Sequence, residues 1–123
     1  MSTPYTFTFS AIELAVRYGD GEADDPNTIS CYVHLALERA KKLTTLVDVR
    51  TAHMRIVDTL IDTMCDSCIP KNWRKQCYRY LKKLMPLLFE MLDKNEYQQK
   101  VTEISQLYVY FVEQVDIEQT RTP

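Results

Sequence analysis

Apolar residues recur along most of this chain at steps of three and four, the spacing that places them on one face of an α-helix. Ile29, Val33, Ala36, Ala40, Leu43 and Val47 form the first long stripe, and Asp25-Pro26 before it reads as an N-cap followed by a proline in the first turn. Thr45 or Asp48 caps a second helix. Its stripe is Val49, His53, Ile56, Leu60 and Met64, widened by Val57 and Ile61, and it is expected to run to about Cys68 before Pro70 closes it. From Lys71 the pattern resumes as Trp73, Cys77, Tyr80, Leu84, Leu87 and Met91. Pro86 lacks an amide hydrogen and its ring crowds the carbonyl four residues back, which predicts a kink or a division near Met85. Asp93 or Asn95 caps the last helix, with Tyr97, Val101, Ile104, Tyr108, Phe111 and Val115 on its main face.

The N-terminus reads differently. Tyr5-Thr6-Phe7-Thr8-Phe9 alternates apolar and polar residues of high β-propensity, the signature of a short strand. Ser10-Ala11-Ile12-Glu13 then has the form of a capping box and Gly19 stands where a C-terminal cap falls, so Ala11 to Tyr18 is expected to be a short helix. The pattern therefore predicts an all-α fold, an antiparallel bundle of about four to five helices with a short N-terminal extended segment. It reads as one domain: a strand, short helix and acidic loop over 1–27, the bundle over 28–117 and a polar tail over 118–123.

Composition supports helices. Only two glycines and five prolines occur in 123 residues, and neither type falls between Pro26 and Pro70, so a long stretch lacks the punctuation of turns. A mean hydropathy of -0.29 is that of a chain that folds in water. No run approaches the ~18 apolar residues of a membrane span, and the N-terminus lacks the basic and apolar regions of a signal peptide. The expectation is a cytoplasmic protein with no membrane partner and with its four cysteines reduced.

Three groups of residues carry candidate chemistry. Cys31-x-x-His34 and Cys65-x-x-Cys68 are two chelating pairs that together supply the donors of a tetrahedral zinc site, although both fall within or at the end of predicted helices. A redox role for the second pair is disfavoured, because a helix C-terminus and Asp58, Asp62 and Asp66 raise the thiol pKa. Lys71, Arg74, Lys75, Arg79, Lys82 and Lys83 form a basic run with Trp73, Tyr78 and Tyr80 interleaved, the composition of a nucleic-acid contact surface. Against it, the sequence pI of 5.7 lacks the basic excess of a dedicated binder. The acidic row Asp58, Asp62 and Asp66 is expected to offset the basic run across a helical hairpin.

The third group is apolar. Leu107, Val109, Tyr110 and Val112 lie outside the main stripe of the last helix, and with Tyr5, Phe7 and Phe9 they exceed what one core needs, which points to a protein interface and a homodimer. No glycine-rich phosphate loop, HExxH or nucleophile elbow is present, so catalysis is not expected and no cofactor apart from zinc is implied. Elimination leaves a small regulatory or adaptor protein, such as an inhibitor, chaperone or transcription modulator, acting by protein-protein interaction. The alternatives are a nucleic-acid-binding regulator using residues 71–83 and a zinc-stabilised helical module.

Overall fold

A computed structural model of the chain describes the backbone of residues 4–19 and 26–113, with side chains described from Phe9 to Gly19 and from Asn27 to Glu113. Among the described residues five α-helices follow in order: α1 (Pro4–Tyr18), α2 (Pro26–Ala40), α3 (Leu46–Met64), α4 (Lys71–Leu88) and α5 (Lys94–Tyr108), the last continued by a π-helical turn over Val109–Glu113. The all-α bundle expected from the apolar spacing is what forms. The acidic loop 20–25 and the tail 118–123 lie outside the described residues.

Contacts between helices set their directions. Phe9 of α1 lies under Arg39 of α2 while Glu13, one turn later in α1, meets Tyr32, earlier in α2, so these two helices are antiparallel. Arg55 of α3 and Asp66 in the turn that follows it meet Glu13 and Arg17 of α1, so α3 runs parallel to α1. Arg50 near the start of α3 pairs with Glu96 near the start of α5, and Tyr78 of α4 stacks on Tyr108 of α5. Each helix thus runs against its neighbour in sequence. One end of the bundle collects the starts of α1, α3 and α5 with the ends of α2 and α4; the other collects the remaining termini.

The stripes read from sequence hold best in α2 and α3. Ile29, Val33, Ala36 and Ala40 are buried, as are Ile56, Val57, Leu60, Ile61 and Met64. Each Ile, Val, Leu or Met side chain among them taken fully from water contributes about 1.5–3 kcal/mol. Thr45 is the N-cap of α3, its Oγ1 accepting from the Asp48 amide at 3.1 Å, and Asp93 caps α5 by accepting from the Glu96 amide at 2.8 Å. Leu43 and Val47, placed on the α2 stripe by spacing, fall after α2, in the corner and in the first turn of α3, and are exposed.

Four expectations are corrected. Residues 5–9 are helix and not strand, since α1 begins at Pro4; in helical spacing Phe9, Ile12 and Val16 line one face, and Phe9 and Val16 are buried in the core. Ser10 therefore lies inside α1 and caps nothing, and Glu13 instead accepts from the Tyr32 hydroxyl and from Arg55. Helix α3 stops at Met64, short of Cys68, and Asp66 Oδ1 then accepts the Cys68 amide in the connecting turn. Helix α4 does not divide near Met85 but runs through Pro86 and ends two residues later at Leu88.

The buried face of α4 is also rotated from the predicted stripe. Trp73, Cys77 and Leu84 are core as expected, but Leu81, Met85 and Leu88 replace Tyr80, Leu87 and Met91. Gly19 ends α1 at φ +62, the left-handed conformation a C-terminal glycine adopts without a Cβ clash, and a Cβ there would meet Ile69 at 3.4 Å. Among the described residues no helix is long and apolar enough to cross a membrane.

Candidate functional site

The basic run on α4 separates into two kinds of residue. Arg74 is buried: its Nε donates to the carbonyl of Met64 at 2.8 Å and its Nη2 to the carbonyl of Phe111 at 2.7 Å. These carbonyls lie at the C-terminal end of α3 and in the terminal π-helical turn, where helix dipoles leave partial negative charge and unpaired acceptors. Arg74 is therefore a clamp joining two helix ends, and its place in a nucleic-acid surface is corrected. Lys75, Arg79, Lys82 and Lys83 are exposed and Lys71 is half-buried. Partial desolvation, then the like charges of Lys75 and Arg74, lower the Lys71 pKa.

The rings among these cations already have partners. Tyr78 stacks on Tyr108 with centroids 3.8 Å apart, Lys82 lies over Tyr78 and Lys83 over Tyr80, each 5.0 Å from the ring centre. Two members of the acidic row engage other helices. Asp66 pairs with Arg17 of α1 at 2.8 Å, which holds its carboxyl below the usual range, and Asp58 lies beside Lys100 of α5 while burial raises its pKa.

The proposed zinc ligands are not assembled. Cys31 and His34 are exposed on α2, Cys68 is exposed in the α3–α4 connection, and Cys65 is half-buried with its thiol pKa raised by burial. Among the described residues no group of three or more His, Cys, Asp or Glu side chains is placed to hold a metal ion. Cys77, the fourth cysteine, is core, and burial pushes its thiol up to about 12. His53 is a core residue whose Nδ1 bonds to the Val49 carbonyl at 2.9 Å.

The surplus apolar residues divide similarly. Phe9 and Val112 are buried and cannot belong to a surface, which corrects their place in an interface; Leu107 is half-buried, whereas Val109 and Tyr110 are exposed. The side chains of Tyr5 and Phe7 lie outside those described.

A different apolar cluster, missed by the spacing argument, stands at one end of the bundle. Leu43 follows α2, Leu46 and Val47 open α3, and Leu87 and Phe89 end α4; Leu46 and Val47 are 69% and 72% exposed. Thr45 explains the placement of the middle pair: by capping α3 it starts the helix there, and its first turn projects past the core. The signal was the cap expected at Thr45 or Asp48, since the apolar residues of a first turn cannot all face inward.

Beside Leu43 lies a pocket of about 280 Å³, walled by Ala36, Arg39 and Ala40 of α2 and by Asp48, Thr51, Ala52 and Arg55 of α3, with Phe9 of α1 also lining it. The three alanines leave the space. Arg39 lies over the Phe9 ring at 3.9 Å from its centre, and Arg55 is held by Glu13 through Nε and Nη2 at 3.0 and 2.6 Å. Tyr32, stacked on Phe9, donates its hydroxyl to Glu13 at 2.7 Å, and burial drives its pKa far up. The chain matches no protein-family model, no curated protein and no solved structure.

Proposed function

We propose that this chain is a small regulatory or adaptor protein that works in the cytoplasm by binding another protein, as an inhibitor, chaperone or transcription modulator, and carries out no catalysis. The observation that supports the reading is the exposed hydrocarbon at one end of the bundle: Leu43, Leu46, Val47, Leu87 and Phe89 come from three separate stretches of chain onto the end where α2 and α4 stop and α3 starts. Scattered exposed apolar residues are ordinary, but several gathered at one end, beside a pocket, mark a surface another chain covers. Affinity capture of the tagged protein from its own cells, followed by mass spectrometry, tests it: a protein retained by the wild type and lost from Leu46→Ser and Val47→Ser chains is the expected result. Recovery in equal amount with all three chains contradicts it. If the captured protein is a second copy, light scattering gives twice the 14.5 kDa chain mass at tens of micromolar.

A second reading, nucleic-acid binding through α4, is favoured by the exposure of Lys75, Arg79, Lys82 and Lys83 on one helix whose nearest acidic row is engaged with α1 and α5. Gel-shift at ~50 mM salt separates the two, since phosphate contacts are strongest at low salt and a backbone binder retards any duplex or single strand there.

A further inference from the structure

We propose that the pocket between α2 and α3 receives an acidic side chain of the partner, an Asp or Glu flanked by an apolar residue, with Arg39 as its anchor; this rests on the protein-binding reading above and specifies the chemistry of the partner segment. The pocket's volume of about 280 Å³ falls just under the roughly 300–1,000 Å³ of small-molecule sites, a size suited to one anchoring side chain of a peptide. Its charges are unequal in availability. Arg55 is occupied by Glu13 through two donors, and Glu38, beside Arg39 in sequence, pairs instead with Lys41 at 3.0 Å. Arg39 has no carboxylate partner among the described residues.

Its guanidinium is held over the Phe9 ring, so its position is set before any ligand arrives. A planar fork of N–H donors held in this way matches a carboxylate in two parallel hydrogen bonds. Asp48, also lining the pocket, supplies an acceptor that a peptide N–H satisfies and a free carboxylate or phosphate does not. Leu43 lines the same pocket and is partly exposed, and Leu46 and Val47, just before Asp48 in the chain, expose more hydrocarbon, which fits an apolar residue next to the acid. An acid with an apolar neighbour on a peptide backbone meets all three requirements together.

Selection of random displayed peptides on the full chain, followed by fluorescence anisotropy with the enriched sequence, tests this. The enriched peptides carry an Asp or Glu beside a leucine-like residue, and Arg39→Gln weakens binding by roughly ten- to a hundredfold, the worth of a hydrogen bond to a charged group. Because Arg39 also packs on Phe9, the decisive arm changes the peptide: replacing its acid by the amide weakens wild-type binding by a similar factor and weakens Arg39→Gln binding little further. Enrichment without an acid, an equal loss from the amide peptide in both chains, or full displacement by free glutamate or inorganic phosphate overturns the proposal, as does failure to enrich any peptide. Binding that depends on Leu46 and Val47 but not on Arg39 or the acid overturns the anchor and leaves the wider surface standing.

Discussion

The two ends of this bundle are finished in opposite ways. Where α1 and α3 end and α4 begins, polar groups close the structure: Trp73 Nε1 donates to the Val16 carbonyl at 2.9 Å, Arg17 pairs with Asp66, and Arg74 holds the carbonyls of Met64 and Phe111. Gly19 packs on Ile69 there. Tyr18 and Tyr110 are exposed toward this end, as is Val109, and the tyrosines carry a hydroxyl for water. Where α2 and α4 end and α3 begins, the exposed side chains Leu43, Leu46, Val47, Leu87 and Phe89 are pure hydrocarbon, and a pocket opens under Arg39. One end is fastened by side-chain hydrogen bonds and the other carries Leu46 and Val47, the two most exposed large aliphatic side chains among the described residues, which sets stability against interaction within one small fold.

The largest effect is expected at the fastened end. Trp73 is fully buried and hydrogen-bonded, so Trp73→Ala should cost about 3–5 kcal/mol, read as a lower urea midpoint. Arg74→Met removes two charge-assisted hydrogen bonds and should cost about 2–3 kcal/mol. That variant also has a local signature: hydrogen exchange should accelerate over residues 104–113 more than in α2, because Arg74 ties the terminal turn to α3. Uniform acceleration would show that the clamp is only part of the global core.

Much of the fastened end was legible and its key residue was not. Gly19 was readable there as a cap, as Thr45 and Asp93 were at the opposite end, because capping needs particular residues at particular places, and Trp73 and Cys77 lay on the apolar stripe. Arg74 read as one more surface cation, since nothing local distinguishes an arginine that meets carbonyls 10 and 37 residues away. The first helix failed for a related reason: five alternating residues fit a strand as well as part of a helical face, and packing of Phe9 against Tyr32 decides between them. The open end was read as core stripe because periodicity marks which residues share a face without showing where the neighbouring helix stops. In the last helix the apolar excess was real, yet Val112 is buried and Val109 and Tyr110 exposed, a division that follows the π-helical turn and is not visible in α-helical spacing.

Smaller effects follow from titration. The Asp66 carboxyl is held low, first by Arg17 and then by the Cys68 amide, so its contribution is present above the unfolded carboxylate pKa near ~4 and is lost as pH falls through the lower folded value. The Cys77 thiol is held high by burial, so its contribution is complete below the unfolded thiol pKa near ~8.5 and is lost as pH rises toward about 12. Urea midpoints measured across pH should therefore fall at both extremes. Arg17→Gln should flatten the acid limb, and Cys77→Ala should flatten the alkaline limb although it lowers stability overall.

At the open end the expected stability change is smallest. Leu46→Ser and Val47→Ser alter side chains about 70% exposed, and each should shift stability by no more than about 0.5 kcal/mol. A loss as large as that of Arg74→Met would mean that these residues are structural and the contrast between the ends is false.

The most direct test is quantitative capture of the cellular partner by wild-type, Leu46→Ser and Lys82→Gln chains, each first shown to unfold at the wild-type urea midpoint. The account predicts that Leu46→Ser loses the partner and Lys82→Gln retains it. Retention by Leu46→Ser together with loss from Lys82→Gln would contradict it and move the working surface to the basic face of α4.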